Sequence, residues 1–211
     1  DHIDDLPGYA QGSFFMQDIG SMQVVELAGI KPGDAVIDVC AAPGGKAMHA
    51  LAKLHGKGSV QARDLTENKV SMIEENIERC AGAADTIEVL VWDARILDPQ
   101  AVEKADVVIA DLPCSGLGVI GRKSDIKYRM TPEQVADIAA LQREILSVVW
   151  QYVKPGGILM YSTCTLTKAE NQDNRDWFLE NSPFTLLEEK ELLPSAETDG
   201  FYMIKCRRNK A

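Results

Sequence analysis

Two cysteines lie in short motifs whose neighbours suit covalent catalysis. Cys114 belongs to the run DLPCSG, residues 111–116, and Cys164 belongs to the run YSTCT, residues 161–165. Each run follows an apolar segment of strand length, so both thiols are expected at strand ends. A thiolate can split one difficult step into two easier ones. The alternative is that each is a small buried apolar residue, the commonest fate of a free cysteine.

Cytosine is a base for which this chemistry has a clear use. Carbon 5 of the ring is too weak a nucleophile to accept a methyl group directly, whereas a thiolate that adds to carbon 6 makes carbon 5 enamine-like. Negative charge then passes to N3, where an acid or a hydrogen-bond donor helps, and a base must remove the carbon 5 proton before the thiolate leaves. Residue types alone do not say which thiol attacks.

The remaining cysteines, Cys40, Cys80 and Cys206, are expected to be core residues. The total of five is odd, and no two form a C-x-x-C pair. This pattern disfavours a disulfide framework and a zinc site. We therefore expect no metal and a reducing, cytoplasmic environment.

The loop CAAPGGK, residues 40–46, predicts a site for a ligand that carries a carboxylate. It matches neither the phosphate loop G-x-x-x-x-G-K-[ST] nor the dinucleotide pattern G-x-G-x-x-G. Small residues let a ligand approach the backbone, and the next helix offers free N–H groups to a carboxylate. Asp64 suits ribose hydroxyls, and Asp93 suits the amine edge of adenine. These groups together describe S-adenosylmethionine; the alternative is a tight turn with helix-capping aspartates.

Apolar segments alternate with helical patterns, which predicts an α/β fold with a doubly wound, mostly parallel, Rossmann-like sheet of seven strands. Predicted strands cover residues 35–39, 59–62, 86–91, 106–110, 158–162, 184–188 and 201–205. Predicted helices cover residues 21–27, 46–54, 67–80, 132–153 and 169–180, and Pro155-Gly156-Gly157 is expected to end the fourth. Ligands bind at the carboxyl ends of parallel strands, so Asp64, Asp93, Asp111 and Cys164 should lie along one edge.

At these motifs the chain resembles the RNA (cytosine-5) methyltransferase family, and within it the bacterial ribosomal-RNA enzymes. The resemblance runs over residues 12–205 and is carried by residues 17–18, 36–46, 111–120, 125–127, 163–164, 170–171 and 199–201. It implies a class I methyltransferase fold, S-adenosylmethionine as cofactor and rRNA as substrate. It implies Cys164 as the nucleophile and Cys114 as the cysteine that assists release of methylated RNA.

The resemblance also assigns a cofactor site. Its implied members are Cys40, Ala41, Ala42, Pro43, Gly44, Gly45, Lys46, Asp64, Asp93 and Asp111. Lys46 and Asp111 are further implied to lie near the target base. Residues 1–30 are expected to form a lead-in segment and helix packed on a methyltransferase domain of residues 31–211.

Three departures from the family pattern bear on the choice of RNA. Leu112 stands where the family usually has Ala, Lys123-Ser124 replaces His-Pro, and Lys168-Ala169 replaces Pro-Glu. None removes a reacting group. The loop of residues 121–130 is expected to contact RNA, although ordinary solvated charge is the alternative for its basic residues, Arg122, Lys123, Lys127 and Arg129.

Charge is the main observation against an RNA partner. The chain has 22 basic and 32 acidic residues, a net charge of −10, which disfavours a nucleic-acid surface made by this chain alone. Basic residues can still cluster locally, and members of the family often carry an added N-terminal RNA-binding domain.

Length and composition narrow the remaining classes. With 211 residues, 45% of them hydrophobic, the chain suits one α/β domain that folds without disulfides. No run approaches the roughly 20 apolar residues of a membrane span, and the polar N-terminus is no signal peptide. We expect a monomer. A methyltransferase acting on a protein or a small molecule, and a non-catalytic RNA-binding relative, stay open; an NAD-dependent oxidoreductase is disfavoured by the loop.

Overall fold

The computed structural model describes residues 3–80, 87–122 and 125–210. Its centre is a seven-stranded sheet with the order β3-β2-β1-β4-β5-β7-β6, in which β7 runs antiparallel to both of its neighbours. The strands are β1 (Ala35–Asp38), β2 (Ser59–Asp64), β3 (Ile87–Val91), β4 (Ala105–Asp111), β5 (Val153–Thr163), β6 (Phe184–Leu192) and β7 (Phe201–Arg208). The prediction of a doubly wound, mostly parallel sheet is confirmed.

Helices cover both faces of the sheet. They are α1 (Ile19–Ala28), α2 (Gly45–Leu54), α3 (Glu67–Arg79), α4 (Ile126–Arg129), α5 (Pro132–Val149) and α6 (Gln172–Asn181). On one face Val36, Val60 and Ile109 pack with α1, α2 and α3. On the other face Val108 and Leu159 pack with α5 and α6. Successive side chains of a strand point to opposite faces of the sheet, so alternate residues of the central strands pack into two separate cores.

Capping residues explain where several helices begin. The Asp18 side chain accepts a hydrogen bond from the backbone N–H of Gly20 at 2.8 Å and so caps α1. Thr66 caps α3 in the same way. Thr131 and Gln134 form a reciprocal capping box at the start of α5, where Pro132 occupies the first helical position.

The end of α5 differs from the sequence prediction. The helix ends at Val149, a 3₁₀ turn covers Trp150–Tyr152, and β5 begins at Val153. Residues 155–157 lie inside β5, where the register jumps from the pair Ala105–Val153 to the pair Val107–Ile158. Proline cannot donate to the ladder and glycine adopts a positive φ without strain, so this segment bulges instead of ending a helix.

The strands place the predicted site residues as expected. Asp64 and Asp111 end β2 and β4, Asp93 follows β3, and Cys164 follows β5 directly. All four therefore lie at the carboxyl edge of the parallel strands. Helix α1 shares a core with α2, while the division into residues 1–30 and 31–211 stays a prediction. Within the three described ranges, no helix is long and apolar enough to cross a membrane.

Candidate active site

The loop of residues 40–46 wraps a cavity of about 130 Å³ between β1 and α2. Its backbone is held by β2, because the N–H of Ala41 donates to the carbonyl of Arg63 at 2.8 Å and the N–H of Ala42 donates to Asp64 Oδ2 at 3.0 Å. Gly44 precedes α2 with φ at +103°, a conformation that favours glycine. The predicted loop residues other than Gly44 thus line one cavity, with Met16, Gln17, Asp18, Ser21 and Asp38.

Polar groups without partners face this cavity. Among the described residues, no group meets hydrogen-bond geometry with Gln17 Nε2 or either carboxylate oxygen of Asp38, although the backbone N–H of Cys40 is near enough to Asp38 to lower its pKa slightly. Asp38 is only 1% exposed, and burial raises its pKa to about 7, with Asp111 adding to the rise and Lys46 opposing it. An ammonium group fits Asp38, and a carboxylate fits Gln17 and the free N–H groups at the start of α2. The cavity thus fits the amino-acid end of S-adenosylmethionine.

Asp38 was not predicted from the sequence. The signal was a carboxylate between Ile37 and Val39, inside a run otherwise typical of a buried strand. Such a residue interrupts the apolar pattern at a cost, because a buried charge needs a partner. A polar residue at the carboxyl end of a buried parallel strand is therefore a site signal in its own right.

The two aspartates predicted to bind ribose and adenine already have partners within the chain. Asp64 is buried and accepts from Ala42 N, from Leu65 N at 2.8 Å and from Lys69 Nζ at 3.0 Å. Asp93 pairs with the Arg95 guanidinium, the nearest contact being 2.7 Å, and this hydrogen bond lowers its pKa. Both carboxylates lie at the expected edge, and their roles toward a cofactor stay predictions.

A partly buried ion pair links the cofactor loop to the cysteine motifs. Lys46 Nζ contacts Asp111 Oδ2 and donates to Ser21 Oγ at 2.8 Å. Ser162 Oγ donates to the other Asp111 oxygen at 2.7 Å. Burial by itself lowers the pKa of Lys46, but the charge and hydrogen bond of Asp111 outweigh it, so the net shift is upward. Lys46 is therefore a cation between the cavity and the thiols.

The side chains of the two predicted cysteines are in contact. The Sγ atoms of Cys114 and Cys164 are 3.2 Å apart. The hydrogen bond from Cys114 lowers the pKa of Cys164, against burial and the Asp111 charge and with help from the Lys46 charge. The same hydrogen bond, together with burial, raises the pKa of Cys114. The pair therefore favours a thiolate at Cys164 and a thiol at Cys114, and the thiolate is the better nucleophile.

A buried polar cluster lies behind the thiols. It comprises Ser115, Thr165, Glu170 and Asn171, which are 4% exposed or less. Asn171 Oδ1 accepts from Thr163 Oγ1 at 2.7 Å, and its Nδ2 donates to the carbonyl of Thr165 at 3.0 Å. Glu170 and Asn171 belong to the residues that carry the family resemblance, which assigned them no role.

The predicted RNA-binding residues are only partly described. The Arg122 side chain is 65% exposed and pairs with Asp199 at 3.0 Å. Lys123 lies outside the described residues. The backbones of Lys127 and Arg129 lie in α4. RNA contact at this loop therefore stays a prediction. Within the described ranges, no group of three His, Cys, Asp or Glu residues could hold a metal ion.

Comparison with known proteins points in one direction. A sequence model of the family described as 16S rRNA methyltransferase RsmB/F matches residues 25–206. The chain is 37% identical over 211 residues to the ribosomal RNA small subunit methyltransferase B of Vibrio cholerae, covering 95% of this chain and 47% of that protein. The protein of the same name from Serratia proteamaculans is 35% identical, with coverages of 96% and 49%. The chain thus spans about half the length of these relatives.

Solved structures agree with the fold. NSun6 from Pyrococcus horikoshii, described with SFG, matches with a TM-score of 0.91 and 29% identity, covering 100% of this chain and 57% of that chain. A methyltransferase homologue from Pyrococcus horikoshii matches with a TM-score of 0.85 and 28% identity, with coverages of 99% and 72%. The predicted class I methyltransferase fold is confirmed.

Proposed function

Because the chain belongs to the 16S rRNA methyltransferase RsmB/F family, we propose that it methylates carbon 5 of a cytosine in rRNA through a covalent adduct on Cys164. S-adenosylmethionine is the cofactor of this family. The observation that carries the proposal is the pair of thiols at 3.2 Å, which lies at the same strand edge as the Lys46–Asp111 ion pair. A methyltransferase that acts on an already nucleophilic atom has no need of such a pair.

Cys164 is the attacking group in this proposal. Its thiolate adds to carbon 6 of the cytosine, and the electron pair of the carbon 5–carbon 6 bond moves toward N3. An ammonium group has three donors, and Ser21 and Asp111 use two of those on Lys46. The third is left to stabilise charge on the base, which is electrostatic assistance to the addition step.

Other residues of the site are proposed to bind the cofactor. When bound, S-adenosylmethionine supplies an electrophilic methyl group. Asp38 and Gln17 hold its amino-acid end, residues 40–46 surround it, and Asp64 and Asp93 are placed for its ribose and adenine. After transfer, Cys114 assists removal of the carbon 5 proton, and elimination then restores the Cys164 thiolate and frees the RNA.

The rest of the proposal concerns partners. RNA is the macromolecular partner, contacted in part by Arg122, Lys123, Lys127 and Arg129. The reaction needs no metal, and the protein acts in the cytoplasm as a monomer. The acidic net charge of −10 favours the competing reading of a protein or small-molecule methyltransferase, so the test must identify the acceptor.

The test is a direct search for the product. The full-length protein is incubated with methyl-labelled S-adenosylmethionine and rRNA from cells that lack the gene, and the digested RNA is analysed by mass spectrometry. We expect label in 5-methylcytidine at one rRNA position, and none with Cys164→Ala. Label on another cytidine atom, or on protein or a small molecule instead of RNA, contradicts the proposal. A Mg²⁺ requirement in the same assay contradicts its metal-free form.

A further inference from the structure

Glu170 is a buried carboxylate that accepts hydrogen bonds from Ser115 and Thr167, which lie beside the two thiols in the chain, and from Gln142 on α5. It is 0% exposed. Oε1 accepts from the backbone N–H of Ser115 at 2.8 Å and from Gln142 Nε2 at 3.2 Å. Oε2 accepts from Ser115 Oγ and from Thr167 Oγ1, both at 2.6 Å. Four donors therefore converge on one carboxylate in a region that excludes water, where such bonds are strong and directional.

The direction of one bond follows from counting hydrogens. Ser115 has a single hydroxyl hydrogen, and it is donated to Glu170. Ser115 Oγ also lies 2.8 Å from Thr165 Oγ1, so Thr165 must be the donor in that contact. The result is a directed chain from Thr165 through Ser115 to Glu170.

This chain joins the residues that directly follow the thiols. Ser115 follows Cys114, and Thr165 follows Cys164. The residue before Cys114 is held by the same cluster, because Gln142 Nε2 donates to the carbonyl of Pro113 at 2.8 Å as well as to Glu170. Cys114 is thus anchored on both sides, and one of these anchors also reaches the Cys164 loop.

We infer that Glu170 is a positioning residue that fixes the distance between the Cys114 and Cys164 sulfur atoms. Its hydrogen bonds hold the loop of Cys114 against the loop of Cys164. This contact keeps the two sulfur atoms close enough to share a proton. Glu170 contacts no reacting atom in the proposed reaction and acts only through Ser115 and the loop of Thr165 and Thr167. Its meaning for catalysis rests on the proposed function, but the placement of the thiols can be measured without RNA or cofactor.

The test compares Glu170→Gln and Ser115→Ala with the wild-type protein. An amide nitrogen can only donate, so the Gln side chain cannot accept from both Ser115 Oγ and Thr167 Oγ1 through that atom. Ser115→Ala removes the hydroxyl that links Thr165 to Glu170 and keeps the backbone N–H. The matched control is Phe178→Leu, a buried change on α6 that packs against Phe184 and lowers stability without touching either loop.

Two measurements depend on the two thiols and need neither RNA nor cofactor. The first is the rate at which diamide converts Cys114 and Cys164 into a disulfide, in which the two thiols lose two protons and two electrons to the oxidant. We expect both variants to slow this reaction on the order of tenfold, because exchange requires direct approach of one sulfur to the other. The second is the pH midpoint of Cys164 alkylation, which should rise by roughly one unit when the Cys114 hydrogen bond is lost.

The control separates positioning from general destabilisation. Phe178→Leu should match the variants in loss of thermal stability and keep wild-type disulfide and alkylation behaviour. Wild-type behaviour in folded Glu170→Gln and Ser115→Ala, or equal slowing in Phe178→Leu, overturns the inference. If Glu170→Gln does not fold, Ser115→Ala decides alone. A wild-type protein that labels no RNA would contradict the proposed function and leave these thiol measurements valid.

Discussion

At the scale of single residues, the contact between the Sγ atoms of Cys114 and Cys164 makes the two thiols unequal in acidity. Cys164 gains from the Cys114 hydrogen bond and from the Lys46 cation, and both lower its pKa. Cys114 keeps its proton because its pKa is raised by the same contact. This difference supports the proposed order, in which Cys164 attacks and Cys114 assists release.

Substitution of the two cysteines should give opposite results. Cys164→Ala should abolish methyl transfer and form no RNA adduct, because without a thiolate at carbon 6 carbon 5 never becomes nucleophilic. Cys114→Ala should still form the adduct and accumulate it as a slowly migrating protein–RNA band on a denaturing gel. Cys80→Ala, at a half-buried cysteine outside the pair, is the matched control. A trapped adduct in Cys164→Ala, with none in Cys114→Ala, would mean that the roles are reversed.

Asp38 should make the protein less stable as pH rises through the weakly acidic range. Its folded pKa is about 7 against an ordinary value of 3.8, so between these values the folded state binds more protons than the unfolded state, and the free energy of unfolding falls with rising pH. The loss is complete above pH 7 and on the order of a few kcal/mol. Urea unfolding at several pH values measures it.

Asp38→Asn supplies the comparison for that measurement. The amide does not titrate, so the variant should lack this fall, and its stability should exceed that of the wild type most clearly above pH 7. Asp137→Asn, at an exposed aspartate of α5, is the control and should follow the wild-type curve. Parallel curves for wild type and Asp38→Asn would show that Asp38 is ionised throughout the range.

At the scale of elements, the register of two neighbouring strands explains why the thiols meet. Asp111 at the end of β4 pairs with Ser162 near the end of β5. Cys114 lies three residues after Asp111, and Cys164 lies two residues after Ser162. Because the two strands are parallel and in this register, the loops that follow β4 and β5 begin at the same edge of the sheet, next to the loop that follows β1. A shift of one residue would move every side chain of β5 to the other face.

The glycine before α2 should be required for both stability and cofactor binding. Gly44 has φ at +103°, and an added Cβ would lie 3.3 Å from Ile73 Cγ2. Gly44→Ala should cost about 1–2 kcal/mol from the left-handed backbone, with more from crowding, and should weaken S-adenosylmethionine binding in calorimetry. Gly33→Ala is the matched control, because φ is +101° and no atom lies within 4 Å of its Cβ position. Equal cofactor affinity in both variants would contradict a role for the loop geometry.

At the scale of the whole molecule, charge limits what this chain does alone. The net charge is −10, and the exposed Arg122 already pairs with Asp199. The chain spans about half the length of its curated relatives. A chain with this net charge attracts a phosphate backbone weakly, so the proposed contact with RNA is expected to be weak for this chain alone.

The chain should therefore bind RNA weakly and with a clear dependence on salt. Each phosphate contact contributes a slope of about 0.7 in a plot of log affinity against log salt for single strands, so Arg122→Ala should flatten the slope by somewhat less than one unit. Lys57→Ala, at an exposed residue before β2 at the opposite edge of the sheet, should leave it unchanged. Fluorescence anisotropy with a labelled rRNA fragment measures both, and tight binding that ignores salt would contradict this account.

Much of the fold follows from local patterns. The alternation of apolar strand segments with helical periods predicts the sheet, and all seven predicted strands form within a few residues of their expected bounds. The main error concerns residues 155–157, which were predicted to end a helix. Pro and Gly interrupt regular structure, but they do so in helices and in strands alike. The neighbouring strand β4 pairs with the chain on both sides of it, and that long-range pairing converts an expected helix end into a bulge.

The candidate site, like the fold, was predictable from the sequence only in part. Residue types and strand-end positions predict Cys114, Cys164, Asp64, Asp93 and Asp111 as candidates, because parallel strands bring their carboxyl ends to one edge. The roles of Lys46 and of each cysteine come from the family resemblance. The sequence could not supply the distance between the sulfurs, the charge on Lys46 or the burial of Asp38, because these depend on which groups the folded chain brings together. Glu170 shows the limit most clearly: only the tertiary structure collects four donors from distant positions around its carboxylate.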